Sequence, residues 1–136
     1  MTTAIRYYSK FGHSKQMAEA ISEVCGTEPQ TVSTPLTEHV DVLFLGAGIF
    51  LGKMDGSVEE FVGSLKPDLV GRVVCYASSA IVKNPASQLR KMLEKQGIAA
   101  DEREFNCKGS MGPLHSGHPD AADLETFKAF VRQVME

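Results

Sequence analysis

Apolar residues along this chain fall into short continuous runs that alternate with stripes at helical spacing. Ala4-Ile5-Arg6-Tyr7-Tyr8 reads as a first strand, residues 9–15 as a turn, and Gln16 onward as a helix with Met17, Ile21 and Val24 on its buried side. Cys25-Gly26 gives that helix a plausible C-terminal cap. Residues 30–33 allow a short second strand. Residues 40–45 form an apolar run broken only by Asp41 and ended by glycine, the pattern of a strand buried on both faces. The spacing of Ser57-Val58-Glu59-Glu60 predicts a capping box at Ser57, with Phe61, Val62 and Leu65 on the inner side and Lys66-Pro67 as the stop. Residues 72–77 read as the fourth strand. Asn84-Pro85 starts a helix carrying Leu89, Met92 and Leu93 as far as Gly97. Residues 102–107 read as the fifth strand, and Asp120 opens a last helix with Leu124, Phe127, Phe130, Val131 and Val134 along one face.

Alternation of this kind predicts an α/β fold: a doubly wound, five-stranded parallel sheet with helices on both faces. The link between the second and third strands is too short for a clear helix. Ligands in such sheets sit beyond the carboxyl ends of the strands. The segments to inspect are therefore residues 9–15, 46–56, 77–84 and 108–119. With 136 residues, 43% hydrophobic and 23% charged, the chain has the size and composition of one domain, 1–136, with a proper core. A net charge of −3 gives no basic footprint for nucleic acid, and no apolar run is long enough to predict a membrane span. No signal peptide is visible, and Cys25, Cys75 and Cys107 have no paired spacing, so reduced thiols in the cytoplasm are expected.

The first turn carries the most chemistry. Hydroxyls at Ser9 and Ser14, the glycine at Gly12 and the amides of a helix start suit a phosphate. A nucleoside-triphosphate loop needs two glycines followed by lysine and a hydroxyl, whereas here one glycine precedes His13. The glycine pattern at residues 46–52 loosely matches a dinucleotide fingerprint, but no acid stands at the end of the next strand, which closes Tyr76-Ala77. A phosphorelay receiver needs aspartate where Gly46 stands. Flavin mononucleotide (FMN) matches the first loop better than these alternatives. His115, His118 and Cys107 admit a metal reading that lacks supporting carboxylates. Cys107 beside Lys108 reads as an inert strand-end thiol rather than a reactive one, and no nucleophile–base set follows from spacing.

Ser9-Lys10-Phe11-Gly12-His13-Ser14 resembles the phosphate loop of flavodoxin-like proteins, hydroxyl-x-Thr-Gly-x-hydroxyl, with Phe11 in place of threonine. The stretch 41–53 is similar to the second loop of the branch that includes menaquinone-dependent protoporphyrinogen dehydrogenase. The tail, Phe105 to Gly109 and then Gly117 to Leu124, looks like small bacterial members. The resemblance implies the strand order 2-1-3-4-5 and FMN as cofactor. It implies one wall of the flavin ring from Ala47, Gly48, Ile49, Phe50, Leu51, Gly52 and Lys53, and the other from Ser78, Ser79, Ala80 and Ile81 on to Lys83. Phe50 is the one aromatic in either wall. Lys53 and Lys83 against Asp55 would raise the flavin potential relative to acid-lined flavodoxins. Residues 108–119 are a candidate lid or docking surface.

The expected function is electron transfer between a reductase and an acceptor protein. The alternatives are an FMN-dependent dehydrogenase or quinone reductase acting on a quinone-like small molecule, and a fold that has lost flavin and serves as a binding module.

Overall fold

The computed structural model describes residues 1–9, 12–50, 53–79, 84–108 and 119–136, with the backbone alone at 49 and 50. Its strands are β1 (Thr3–Tyr8), β2 (Pro29–Thr31), β3 (Val40–Phe50), β4 (Lys53–Met54), β5 (Val70–Ser79) and β6 (Ala100–Lys108). Its helices are α1 (His13–Cys25), α2 (Gly56–Ser64), α3 (Pro85–Lys95) and α4 (Ala121–Val134). The five principal strands are parallel in the order β2-β1-β3-β5-β6, and the two-residue β4 pairs antiparallel with the end of β3. With β4 set aside, this is the predicted order 2-1-3-4-5.

Successive side chains of a strand point to opposite faces, so the central strands feed two cores. Leu43, Leu45, Val73 and Cys75 meet Val58, Phe61 and Val62 of α2 and Leu89 and Leu93 of α3. Val42, Phe44, Val74 and Tyr76 meet Met17 and Ile21 of α1 and Phe127, Val131 and Val134 of α4. Continuous apolar runs in β3 and β5 follow from burial on both sides.

Between β2 and β3 the chain takes residues 32–39 without a helix. Arg6 explains how this edge is closed. Its guanidinium is buried, donating from Nε to the Thr34 carbonyl at 2.9 Å and from Nη1 to the Ile5 carbonyl at 3.1 Å. Burial lowers its pKa, yet an arginine stays charged, so each carbonyl receives a charge-assisted bond.

Several element ends differ from expectation. Helix α1 begins at His13 rather than Gln16, because Gly12 turns the chain at φ +86° directly into the helix. Strand β3 continues past Leu45 to Phe50, pairing Gly46, Ala47, Gly48 and Ile49 with residues 76–79 of β5. Residues 46–50, expected as loop, are strand because the ladder on both sides outweighs the weak strand preference of glycine. The cap of α2 is Asp55 rather than Ser57: its carboxylate accepts from Ser57 N at 3.0 Å and from Ser57 Oγ at 2.6 Å. Helix α4 opens at Asp120 as expected, in a reciprocal capping box with Asp123.

Candidate functional site

Strand β1 delivers Ser9 to the carboxyl edge of the sheet, where Gly12 starts α1 and accepts the Gln16 amide at 3.1 Å. The amides ahead of Gln16 lie outside the intrahelical ladder and carry the positive end of the helix dipole. The described residues close the other three helix starts with side chains. Asp55 caps α2, Asp120 caps α4, and Asn106 of β6 reaches across to α3, where its Oδ1 accepts the Ala86 amide at 2.7 Å. Helix α1 has no side-chain cap at Gly12 and no acid in its first turn. Ser9 Oγ and Ser14 Oγ are both buried at this open helix start with no hydrogen-bond partner. Buried hydroxyls left unpaired cost free energy, so a pair of them beside an uncapped N-terminus is the arrangement an anion would complete.

The phosphate-loop residues Ser9, Gly12, His13 and Ser14 are thus brought together, whereas Lys10 and Phe11 lie outside the described residues. His13 is the first residue of α1 and half-buried.

The expected first wall is a hairpin rather than an irregular loop. Ile49 pairs with Met54 and Phe50 with Lys53, while Leu51 and Gly52 fall outside the described residues. Gly48 is half-buried at the strand end, but Ala47 is turned away into the α2–α3 core. Lys53 is exposed. Tyr8, paired in register with Ala47, ends β1 near Asp55. Partial burial first, then the nearby Asp55 carboxylate, pushes the phenol above its ordinary pKa.

The second wall begins at Ser78 and Ser79, both buried at the end of β5; Ala80, Ile81 and Lys83 fall outside the described residues. Ser78 Oγ lies 3.7 Å from where a side chain on Gly48 would begin, so the two walls meet at this point.

Cys107 is held as a protonated, half-buried thiol. Its thiol donates to the Met17 sulfur at 3.5 Å, and burial, with Asp123 adding to it, pushes its pKa up to about 12. Two residues of the metal reading, His115 and His118, lie outside the described residues, and no metal-holding cluster occurs among the described ones. The candidate lid at 108–119 also lies outside them, apart from its ends. Two features had no signal in the sequence: the nearness of Tyr8 to Asp55 and the Asn106 cap on α3. Each joins residues distant in the chain and depends on strand register.

A doubly wound parallel sheet, with an open helix start behind its first strand, defines an α/β protein of the class whose ligands sit at the switch in strand order. The chain belongs to the flavodoxin family: the flavodoxin domain model matches residues 4–112. That match is coarser than the menaquinone-dependent branch. An archaeal flavodoxin of known structure superposes with a TM-score of 0.80 at 16% identity, over 98% of this chain and 96% of that one. A flavoprotein from Lactobacillus acidophilus, solved in complex with FMN, gives a TM-score of 0.59 at 17% identity, over 79% of this chain and 92% of that one. An uncharacterized protein of Methanocaldococcus jannaschii is 26% identical over 115 residues, 77% of this chain and 76% of its own length. No described helix is long and apolar enough to cross a membrane.

Proposed function

We propose that this protein is a single-domain cytoplasmic FMN carrier that moves electrons between a reductase and an acceptor protein. The observation that carries the reading is the uncapped start of α1 with the orphaned hydroxyls of Ser9 and Ser14. These hydroxyls and the first-turn amides would hold the phosphate, with Lys10, Phe11, Gly12 and His13 completing the loop. Gly48 to Lys53 and Ser78 to Ile81 would flank the ring, and Gly48 allows close backbone approach. Bound flavin would supply the reversible uptake of electrons; the chain's part is to bind, orient and bias it. Lys53 and Lys83, against the single Asp55, would bias the walls toward reduced flavin. The family membership and the FMN complex of the Lactobacillus relative support the choice of nucleotide. The three cysteines are free, in keeping with a reducing compartment.

The likeness of residues 41–53 to the protoporphyrinogen-oxidising branch favours a second reading, an FMN-dependent dehydrogenase or quinone reductase. One preparation separates the readings. Purified protein should be yellow, bleach on chemical reduction and recolour with an acceptor protein. Bleaching by NAD(P)H without a reductase, or rapid recolouring by a quinone, would make it an enzyme. A colourless preparation that takes up no FMN would leave only a binding module.

A further inference from the structure

Beyond the phosphate loop, helices α2 and α3 and the short strand β4 enclose an open groove of about 430 Å³. Its lining mixes three lysines, Lys53, Lys91 and Lys95, with the sulfur side chains of Met54 and Met92 and a lone carboxylate, Glu59. The three lysines are exposed, and among the described residues none of them pairs with a carboxylate. Neighbouring Arg90, by contrast, is spent on Glu94 and Glu104. The groove is therefore net positive on a chain whose overall charge is −3. Met54 and Met92 are half-buried and supply an adaptable apolar floor. The groove also abuts the first wall, because Lys53 and Met54 are the very residues that β4 pairs with Phe50 and Ile49.

Resting on the flavin reading above, we infer that this groove docks the acidic face of a redox partner protein, its carboxylates on Lys53, Lys91 and Lys95 and an apolar side chain on Met54 and Met92. Opposite charge steers encounter and fixes orientation, and a cleft of one sign focuses the field. Methionine accommodates partners of differing shape. Docking here places the partner against the strand that forms the ring wall, where electron exchange needs it. The sign is set by the local lysines and not by the net charge of the chain.

The test is a titration of 15N-labelled protein, as purified, with the blocked peptide Glu-Glu-Leu-Glu-Glu-Leu, followed by amide shifts. Shifts should concentrate at Lys53, Met54, Lys91, Met92 and Lys95, weaken as salt is raised, and be absent with the Lys-Lys-Leu-Lys-Lys-Leu counterpart. Lys91→Glu with Lys95→Glu should weaken peptide binding at least about tenfold, and the milder Lys91→Gln with Lys95→Gln by less, with thermal midpoint and FMN affinity unchanged. Peptide shifts that are missing, lie elsewhere or survive the charge reversal would overturn the inference. So would equal shifts from pyrophosphate, which would make this a small-anion site, or binding only to phosphatidylglycerol vesicles. Peptide docking needs no bound flavin, so these shifts in a protein that refuses FMN would uphold the groove and refute the flavin reading alone.

Discussion

Among the described residues, three buried hydroxyls, those of Ser9, Ser14 and Tyr76, have no partner, and they divide into two kinds. Those of Ser9 and Ser14 face an open helix start. Replacing Ser14 with alanine removes an unpaired buried group from the free protein and a donor from the complex. The apoprotein should keep or gain stability, while FMN affinity falls by about 1.5–3 kcal/mol, roughly ten- to a hundredfold. Parallel urea melts and FMN titrations read both halves. Tyr76 is different. Its ring is fully buried against Phe127, with centroids 5.2 Å apart, and it lies across Gly46 so closely that a Cβ there would fall 2.1 Å from the ring. Burial raises the phenol far above its ordinary pKa, so it stays neutral. Gly46→Ala should therefore cost at least about 2 kcal/mol through overpacking, and Tyr76→Phe should raise the urea midpoint by removing an unsatisfied hydroxyl worth about 1 kcal/mol. A destabilised Tyr76→Phe would mean that the hydroxyl has a partner.

Among the elements, the helix starts show what can be read from sequence and what cannot. Asp120 and the apolar stripe of α4 announce their helix, and Pro85 announces α3, because those signals are local. The true start of α1 and the full length of β3 were hidden. One depends on the left-handed turn at Gly12, the other on neighbouring strands holding a glycine-rich run extended. Asn106 shows the same limit, since its role appears only when β6 lies beside the start of α3. A second cluster links elements at the other end of β6. Asp101 accepts from Arg103 through both carboxylate oxygens, at 3.0 and 2.9 Å, and from Arg72, which also donates to the Val134 carbonyl of α4. Hydrogen bonds from Arg103, with Arg72 adding to them, hold the Asp101 carboxyl at about 2. That value lies below the unfolded one of about 3.9, so its stabilisation is complete above about pH 4 and is lost as pH falls through about 2. Asp101→Asn should cost about 1–2 kcal/mol near neutrality, less than the full shift because Arg103 is exposed, and should flatten the acid limb of stability against pH. Equal slopes for the two proteins in that window would refute the link.

At the scale of the molecule, fold class and two-sided packing were legible because the alternation of elements and the buried runs of β3 and β5 leave few topologies, whereas the strand order followed from the resemblance to flavodoxin-like proteins. The site was legible in part. Ser9 follows β1 and Gly12 and Ser14 open α1, whereas Ala47 turns into the core and β3 pairs with β4 as a hairpin. That hairpin carries Lys53 outward, and Lys53→Gln should lower the flavin potential in a potentiometric titration; an unchanged potential would remove the lysine from the account. The central claim is that the first loop grips a phosphate. It is tested most directly by titrating apoprotein with FMN and, separately, with riboflavin, which lacks the phosphate, following the quenching of flavin fluorescence. FMN should bind one to one and at least about a hundredfold more tightly than riboflavin, the loss expected when charge-assisted bonds to a dianion vanish. Equal affinity for the two flavins, or no quenching by either, would contradict it.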